Sequence, residues 1–78
     1  MNYEQGLTVA VSISDDPTYQ AALAELAKAL RSNLADDRRY GSTETTRAGR
    51  AKIVDQLNAL VLANGGRSFN DLVLGRGV

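Results

Sequence analysis

Cysteine and histidine are absent from this 78-residue chain, which contains a single proline and a single phenylalanine. Without cysteine no disulfide can form, and without either residue the usual ligands of a structural zinc site are missing. A chain of this length buries only about 60–65% of its unfolded surface, so its core is small. Since small domains without these supports often gain stability by oligomerisation, we expect this one to associate with itself or with a partner.

Long apolar runs are also missing, and no stretch approaches the roughly 20 residues that a membrane-spanning helix requires. The N-terminal sequence MNYEQG is acidic rather than basic, so it does not match a secretory signal peptide. The lack of cysteine fits a cytoplasmic protein, because disulfides are rare in that compartment. We therefore predict a cytoplasmic domain that makes no contact with a membrane.

Positive and negative charges balance, with nine of each sign, but they are not evenly mixed. The first 25 residues contain four acidic residues and no basic residue: Glu4, Asp15, Asp16 and Glu25. Residues 38–52 contain five basic residues against one acid: Arg38, Arg39, Arg47, Arg50 and Lys52. Patches of opposite sign attract between copies, so this distribution favours self-association; an ordinary solvated surface is the alternative.

The segment GLTVAVSIS, residues 6–14, alternates apolar with small or polar residues, which is typical of a half-buried β-strand. Its apolar face would consist of Leu7, Val9, Val11 and Ile13. A lone strand leaves backbone N–H and C=O groups unpaired, and a two-stranded pairing is marginal in water. We therefore predict a strand arm over residues 1–14 that pairs with another chain by edge addition.

Two long helices are predicted after the strand. Asp16 is a preferred N-cap residue, Pro17 fits the first helical position, and an apolar stripe follows, so a helix is predicted over residues 16–34. The polar residues 35–46 are interpreted as a loop or a frayed helix end. A second helix is predicted over residues 43–63, because apolar residues recur there at helical spacing before two glycines.

A short third helix is predicted over residues 68–74. Ser68 and Asp71 have the spacing of a capping box, and a short strand at Leu72–Leu74 is the alternative. Together the elements predict a mainly α fold of the α+β type, formed by an N-terminal strand, two long helices and a short C-terminal helix. We expect one domain over residues 1–78, and a homodimer in solution.

No arrangement of residues is typical of catalysis. Serine hydroxyls have no histidine to activate them, and neither lysine lies in a recognisable Ser-Lys motif. The paired aspartates at 15–16 and 36–37 lack further oxygen ligands at a loop spacing typical of a calcium site. We therefore predict a protein that is not an enzyme and that uses no metal or cofactor.

The basic residues after the first helix are the strongest candidates for binding, together with one aromatic residue: Arg38, Arg39, Tyr40, Arg47 and Arg50. Three interpretations compete, namely nucleic acid, an acidic protein surface and plain solubility. A nucleic-acid-binding domain is expected to be net basic, whereas this chain is neutral, so an acidic protein surface is favoured. The opposing patch on a neighbouring molecule would contain Asp15, Asp16 and Glu25.

The stretch from Arg38 to Gly75 resembles the small effector-associated, death-like modules that accompany bacterial signalling proteins in conflict systems. The matching residues are Arg39, Tyr40, Gly41, Arg47, Arg50, Leu57, Asn58, Gly66, Ser68, Phe69, Asn70 and Leu72. The resemblance implies a non-enzymatic adaptor that recruits an effector through like-with-like contacts. Asn58 lies between apolar positions, where a structural hydrogen bond is favoured over a binding role.

The N-terminal half resembles a second family, the ribbon–helix–helix repressors, in its order of strand, capped helix and second helix. That resemblance implies a dimeric DNA-binding regulator, in which outward side chains of the strand read the major groove. Here those side chains belong to Thr8, Ala10 and Ser12, which are too short for bidentate contacts with bases. We therefore keep DNA binding as the alternative to a protein-interaction module in bacterial signalling or antiviral defence.

Overall fold

Four α-helices make up the fold in the computed structural model, which describes residues 3–65 and 67–74. They are α1 (Tyr3–Val11), α2 (Pro17–Tyr40), α3 (Glu44–Gly65) and α4 (Phe69–Val73). The helices α2 and α3 pack along each other as a hairpin, and α1 and α4 pack together against it. The predicted mainly α class is confirmed, but the described residues contain no strand.

The predicted N-terminal strand is wrong, because residues 3–11 form a helix. Of its predicted face, Leu7 is buried, Val9 and Ile13 are half-buried, and Val11 is 51% exposed. The helix instead buries Leu7 and Ala10, three residues apart, on one face. It also satisfies its own backbone groups, so these residues need no partner strand, and the expected pairing with another chain loses its basis.

The helix α2 begins as the sequence predicts and ends later. Asp16 is the N-cap, and its Oδ1 accepts a hydrogen bond from the Thr18 N–H at 2.9 Å. The helix continues to Tyr40, six residues beyond the predicted end, and stops at Gly41, whose φ of +83° suits glycine. The N–H of Gly41 donates to the Asp37 carbonyl oxygen at 2.9 Å, which closes the last turn.

The start of α3 is fixed by reciprocal hydrogen bonds between two threonines. Thr43 Oγ1 accepts from the Thr46 N–H at 3.1 Å, and Thr46 Oγ1 accepts from the Thr43 N–H at 2.9 Å. This is the geometry of a capping box, with threonine at the position that Glu or Gln usually occupies. With α2 ending at Tyr40 and α3 beginning at Glu44, only three residues connect the two helices. A connection this short is typical of an antiparallel helical hairpin.

The core lies in the part of the hairpin that α1 and α4 cover. Its buried apolar side chains are Leu7, Ala10, Tyr19, Leu23, Ala27, Leu30, Leu57, Val61, Phe69, Leu72 and Val73. The Tyr19 hydroxyl donates to the buried Ala10 carbonyl at 2.6 Å, and Gln20 Nε2 donates to the Val11 carbonyl at 2.8 Å. Side chains of α2 thus satisfy the C-terminal carbonyls of α1 and fix the angle between the two helices.

The short helix α4 is held by side chains on both sides of its first turn. Ser68 Oγ accepts from the Asp71 N–H at 3.2 Å, and Asn58 Oδ1 on α3 accepts from the Asn70 N–H at 2.9 Å. Leu72 lies in this helix and is buried, so the alternative of a strand at Leu72–Leu74 is wrong. Gly66, which the resemblance to death-like modules includes, lies outside the described residues.

Gly6 lets α1 approach α4 closely. A Cβ atom at this position would lie 2.6 Å from Val73 Cγ2 and 3.2 Å from Phe69 Cε1. Such contacts are too short, so a side chain at residue 6 would push the two helices apart. The stacking of Tyr3 on Phe69, with ring centroids 6.4 Å apart, belongs to the same interface.

We predict that Gly6→Ala lowers the free energy of unfolding by about 1–3 kcal/mol, because the added methyl group overpacks the α1–α4 interface. Gly49→Ala is a matched control, since its Cβ would meet only Asn33 Nδ2 at 3.4 Å. It should stabilise α3 by up to about 1 kcal/mol through helix propensity. Urea unfolding followed by circular dichroism measures both, and equal effects of the two substitutions would contradict the proposed close packing.

Candidate functional site

The end of the α2–α3 hairpin, residues 33–50, carries most of the predicted basic patch. We call this segment the hairpin tip. None of its residues is buried to the degree of the core, and Leu34 is its one apolar side chain packed against the core. The half-buried residues of the tip are Asn33, Leu34, Asp37, Thr46, Gly49 and Arg50. Because apolar packing is thin here, polar contacts between α2 and α3 must hold the tip together.

Four polar residues, which we call the clasp, join the two helices within the tip: Asn33, Asp37, Thr46 and Arg50. Asn33 Nδ2 donates to the Thr46 carbonyl at 3.0 Å, and Arg50 Nε donates to Asn33 Oδ1 at 3.0 Å. The Arg50 guanidinium also forms an ion pair with Asp37, and the two side chains are only 21% and 17% exposed. The clasp therefore satisfies most of its polar atoms across the helix interface.

The environment of Asp37 favours its ionised form. The neighbouring Thr46 hydroxyl contributes most, and the Arg50 and Arg47 guanidinium groups add to it, so the pKa of Asp37 lies below its ordinary value. The Thr46 hydroxyl donates its hydrogen bond to the Thr43 carbonyl at 3.0 Å. Asp37 Oδ1 is then buried without a hydrogen-bond partner among the described residues.

Arg50 lies beside Arg47 on α3, but its charge is engaged within the molecule. It was predicted to belong to the exposed basic patch, but its charge is neutralised by Asp37 and most of its side chain is covered. Its partners were missed because residues 35–40 were interpreted as a loop or frayed helix end. The signal was present: Asn33 and Asp37 are four residues apart and continue the buried stripe of α2 beyond Leu30.

The remaining residues of the patch are exposed on the hairpin tip. Arg38, Arg39 and Arg47, which we call the tip cations, form no ion pair within the part of the chain that the structure describes. Tyr40 is 72% exposed, and the Arg39 guanidinium carbon lies 5.9 Å from the centre of its ring. Three cations and one aromatic ring therefore face solvent at a single end of the molecule.

A shallow pocket lies between the tip and α1. Arg47 and Arg50 border it on α3, together with Ala51 and Val54, and Tyr3 closes it from α1. The predicted basic patch did not include Tyr3, because residue 3 was assigned to a strand arm. The helical conformation of residues 3–11 brings this ring to the side of α3.

The predicted acidic patch lies away from the tip. Asp15, Asp16 and Glu25 are exposed, and the Asp16 carboxylate also caps α2. Asp15 and Asp16 precede the first residue of α2, whereas Arg38 and Arg39 lie in its last turn. A helix of 24 residues is about 36 Å long at 1.5 Å per residue. Asp15 and Asp16, which we call the acidic loop, therefore lie at the opposite end from Arg38 and Arg39.

The other residues singled out in the sequence lie together at the junction of α3 and α4. Asn58, Ser68 and Asn70 make the hydrogen bonds of the first turn of α4, and Phe69 and Leu72 are buried beneath it. This arrangement positions a helix. Within the described residues, no group of three or more acidic side chains is arranged to hold a metal ion.

Comparison with models of known protein families, with curated proteins and with solved structures finds no match to this chain. Among the described helices, none combines the length and apolar character needed to cross a membrane.

The clasp predicts how stability depends on pH. The pKa of Asp37 is lowered from 3.8, and that of Glu4 from 4.5 by its hydrogen bonds to Arg31, so the folded state binds fewer protons than the unfolded state. The two carboxylates therefore stabilise the fold at pH values above the pKa that each has in the unfolded chain. This stabilisation is lost as the pH falls through the lower pKa that each has in the folded protein. Asp37→Asn should lower the urea midpoint at neutral pH and flatten its fall below about pH 4.

Asp36→Asn is the control, because Asp36 is exposed and lies outside the clasp. Urea unfolding of the three proteins between pH 7 and pH 2.5 measures the effect. An Asp37→Asn variant with the pH profile of the parent would show that the clasp does not couple to folding.

Proposed function

We propose that this protein is a non-enzymatic interaction module that self-associates, with the tip cations of one molecule facing the acidic patch of another, formed by Asp15, Asp16 and Glu25. The observation that carries this proposal is the separation of charge along the hairpin, with Arg38, Arg39 and Arg47 at one end and Asp15 and Asp16 at the other. Complementary patches speed association and select its orientation. The proposed role is recruitment of an effector in bacterial signalling or antiviral defence, as in the death-like modules that the sequence resembles.

The position of Arg50 refines which residues act in this contact. Arg50 is engaged with Asp37 and Asn33, so its loss would disturb the tip itself. The tip cations form no ion pair among the described residues and their side chains are exposed, although the charge of Arg47 also acts on Asp37. They are therefore the residues whose charge can act on another molecule.

The alternative of a ribbon–helix–helix DNA-binding regulator loses its main support. In that family the strand enters the major groove, whereas residues 3–11 here are helical. The three-residue connection between α2 and α3 does match the short turn of that family. The net charge of zero, however, is unfavourable for binding a polyanion such as DNA. We therefore do not propose DNA binding.

Charge reversal at each end tests the proposal. We expect Arg38→Glu/Arg39→Glu, at two exposed positions outside the clasp, to weaken self-association at least tenfold, and Asp15→Lys/Glu25→Lys to do the same. An equimolar mixture of the two variants should associate again, because each restores the complementary charge for the other. Sedimentation velocity over a concentration series measures the dissociation constants, and circular dichroism verifies that helix content is unchanged.

Lys28→Glu/Lys52→Glu is the matched control, with the same change in net charge at exposed positions along the two helices. It should associate like the parent protein. Added salt should weaken the parent association, because exposed charges are screened over about 8 Å at physiological ionic strength. A parent protein that stays monomeric at millimolar concentration, or a mixture that fails to recover association, contradicts the proposal.

A further inference from the structure

An apolar groove runs between α1 and α2, on the part of the hairpin that lies away from the tip. Leu7, Leu23 and Ala27 line it and are nearly inaccessible, and Val11 and Ala24 line it as exposed residues. Its volume is about 230 Å³. Pockets for drug-sized ligands enclose about 300–1,000 Å³, so this groove suits a single large side chain from a protein partner.

The groove also offers hydrogen-bonding groups to its occupant. Thr8, Gln20 and Arg31 line it together with the apolar residues. Arg31 is held in place by two hydrogen bonds to Glu4, at 2.7 and 3.0 Å. A side chain with an apolar body and one polar atom fits this lining better than a purely aliphatic one, and tyrosine is such a side chain.

The hairpin tip presents a side chain of this kind. Tyr40, at 72% exposure, is the most exposed of the large apolar side chains in the described part of the chain. Arg38 and Arg39 precede it, and Arg39 lies over its ring. Tyrosine and arginine are, with tryptophan, the residue types enriched among the energetically dominant residues of interfaces.

The charge around the groove complements the charge around Tyr40. Gln20 Nε2 donates to the Ser14 carbonyl at 2.6 Å, so the loop that carries Asp15 and Asp16 begins at the rim of the groove. A tyrosine ring in the groove would bring the arginines next to it close to these carboxylates. The same chain cannot supply that ring, because eight residues of α2 lie between Arg31, the nearest groove residue of that helix, and Tyr40.

From the groove, its acidic rim and the exposed tip, we infer that Tyr40 of one copy docks into the α1–α2 groove of a second copy. Arg38 and Arg39 then face Asp15 and Asp16 across the contact. This inference rests on the proposed self-association and identifies its anchor, since electrostatic attraction alone gives orientation and speed more than affinity. The ring would pack between the exposed Val11 and Ala24, above the floor formed by Leu7, Leu23 and Ala27, and its hydroxyl would meet the polar lining.

Two substitutions remove this contact from opposite sides. Tyr40→Ala deletes the anchor, and Ala24→Trp fills the groove from its exposed rim, so each should weaken self-association at least tenfold in sedimentation velocity. Tyr40→Phe keeps the ring and should lose no more than a few-fold. Ala21→Trp is the matched control, because Ala21 is exposed on the same helix and outside the groove.

Mixing the two variants tests the tyrosine and the groove as separate halves of the contact. The Tyr40→Ala variant keeps an open groove and the Ala24→Trp variant keeps Tyr40, so their mixture should associate more tightly than either variant alone. Amide shifts of Leu7 and Ala24 in two-dimensional NMR should move with concentration in the parent protein and stay fixed in Tyr40→Ala.

The outcomes distinguish this inference from the proposed function. If charge reversal weakens association while Tyr40→Ala and Ala24→Trp associate like the parent, the groove is not the docking site and the charge-driven contact stands. If the parent protein is monomeric, the proposed function fails and the inference fails with it. Weakening by Ala21→Trp equal to that by Ala24→Trp would also overturn the assignment of the groove.

Discussion

The hairpin tip depends on the ion pair between Arg50 of α3 and Asp37 of α2. Away from the tip, the two long helices share an apolar core with α1 and α4. Within the tip, no side chain is as buried as those of the core, and the polar contacts of the clasp join the helices instead. An ion pair removed from water gains from attraction in a lower dielectric, but it tolerates the loss of one partner poorly, because the remaining charge is then buried alone. The conformation of the tip, and with it the position of the tip cations and Tyr40, is thus set by polar geometry.

The clasp also divides the basic residues of the sequence into two kinds. Arg50 uses its charge inside the molecule, whereas Arg38 and Arg39 direct theirs outward, and the exposed Arg47 adds a weaker influence on Asp37. Composition cannot make this distinction, because it depends on which acidic residue lies opposite each arginine. The turn of three residues decides that register: it places the end of α2 beside the start of α3, so that Asp37 meets Arg50 while Asp36 stays exposed.

The sequence was sufficient to predict elements whose signals are local. Asp16 and Pro17 mark the start of α2, and Ser68 marks that of α4, because capping depends on residues within one turn. The N-terminal segment could not be settled locally, since Leu7, Val9 and Val11 alternate as in a strand while Leu7 and Ala10 also have helical spacing. The helix buries its face against α4, with Gly6 touching Val73, and that contact joins residues far apart in the chain. Likewise, the position of Tyr3 beside α3 and the groove between α1 and α2 both depend on residues 3–11 being helical.

Because the tip is held mainly by polar contacts, its stability should depend on whether a partner is bound to it. Segments with little buried apolar surface open locally at a lower free energy than the core, so the last turns of α2 and the first turns of α3 are the part of the hairpin most prone to fraying. A partner that binds only the closed tip draws the equilibrium toward that form by mass action. In the proposed self-association, the clasp would then set a threshold for assembly. The more easily it opens, the higher the concentration of molecules needed before binding holds the tip closed.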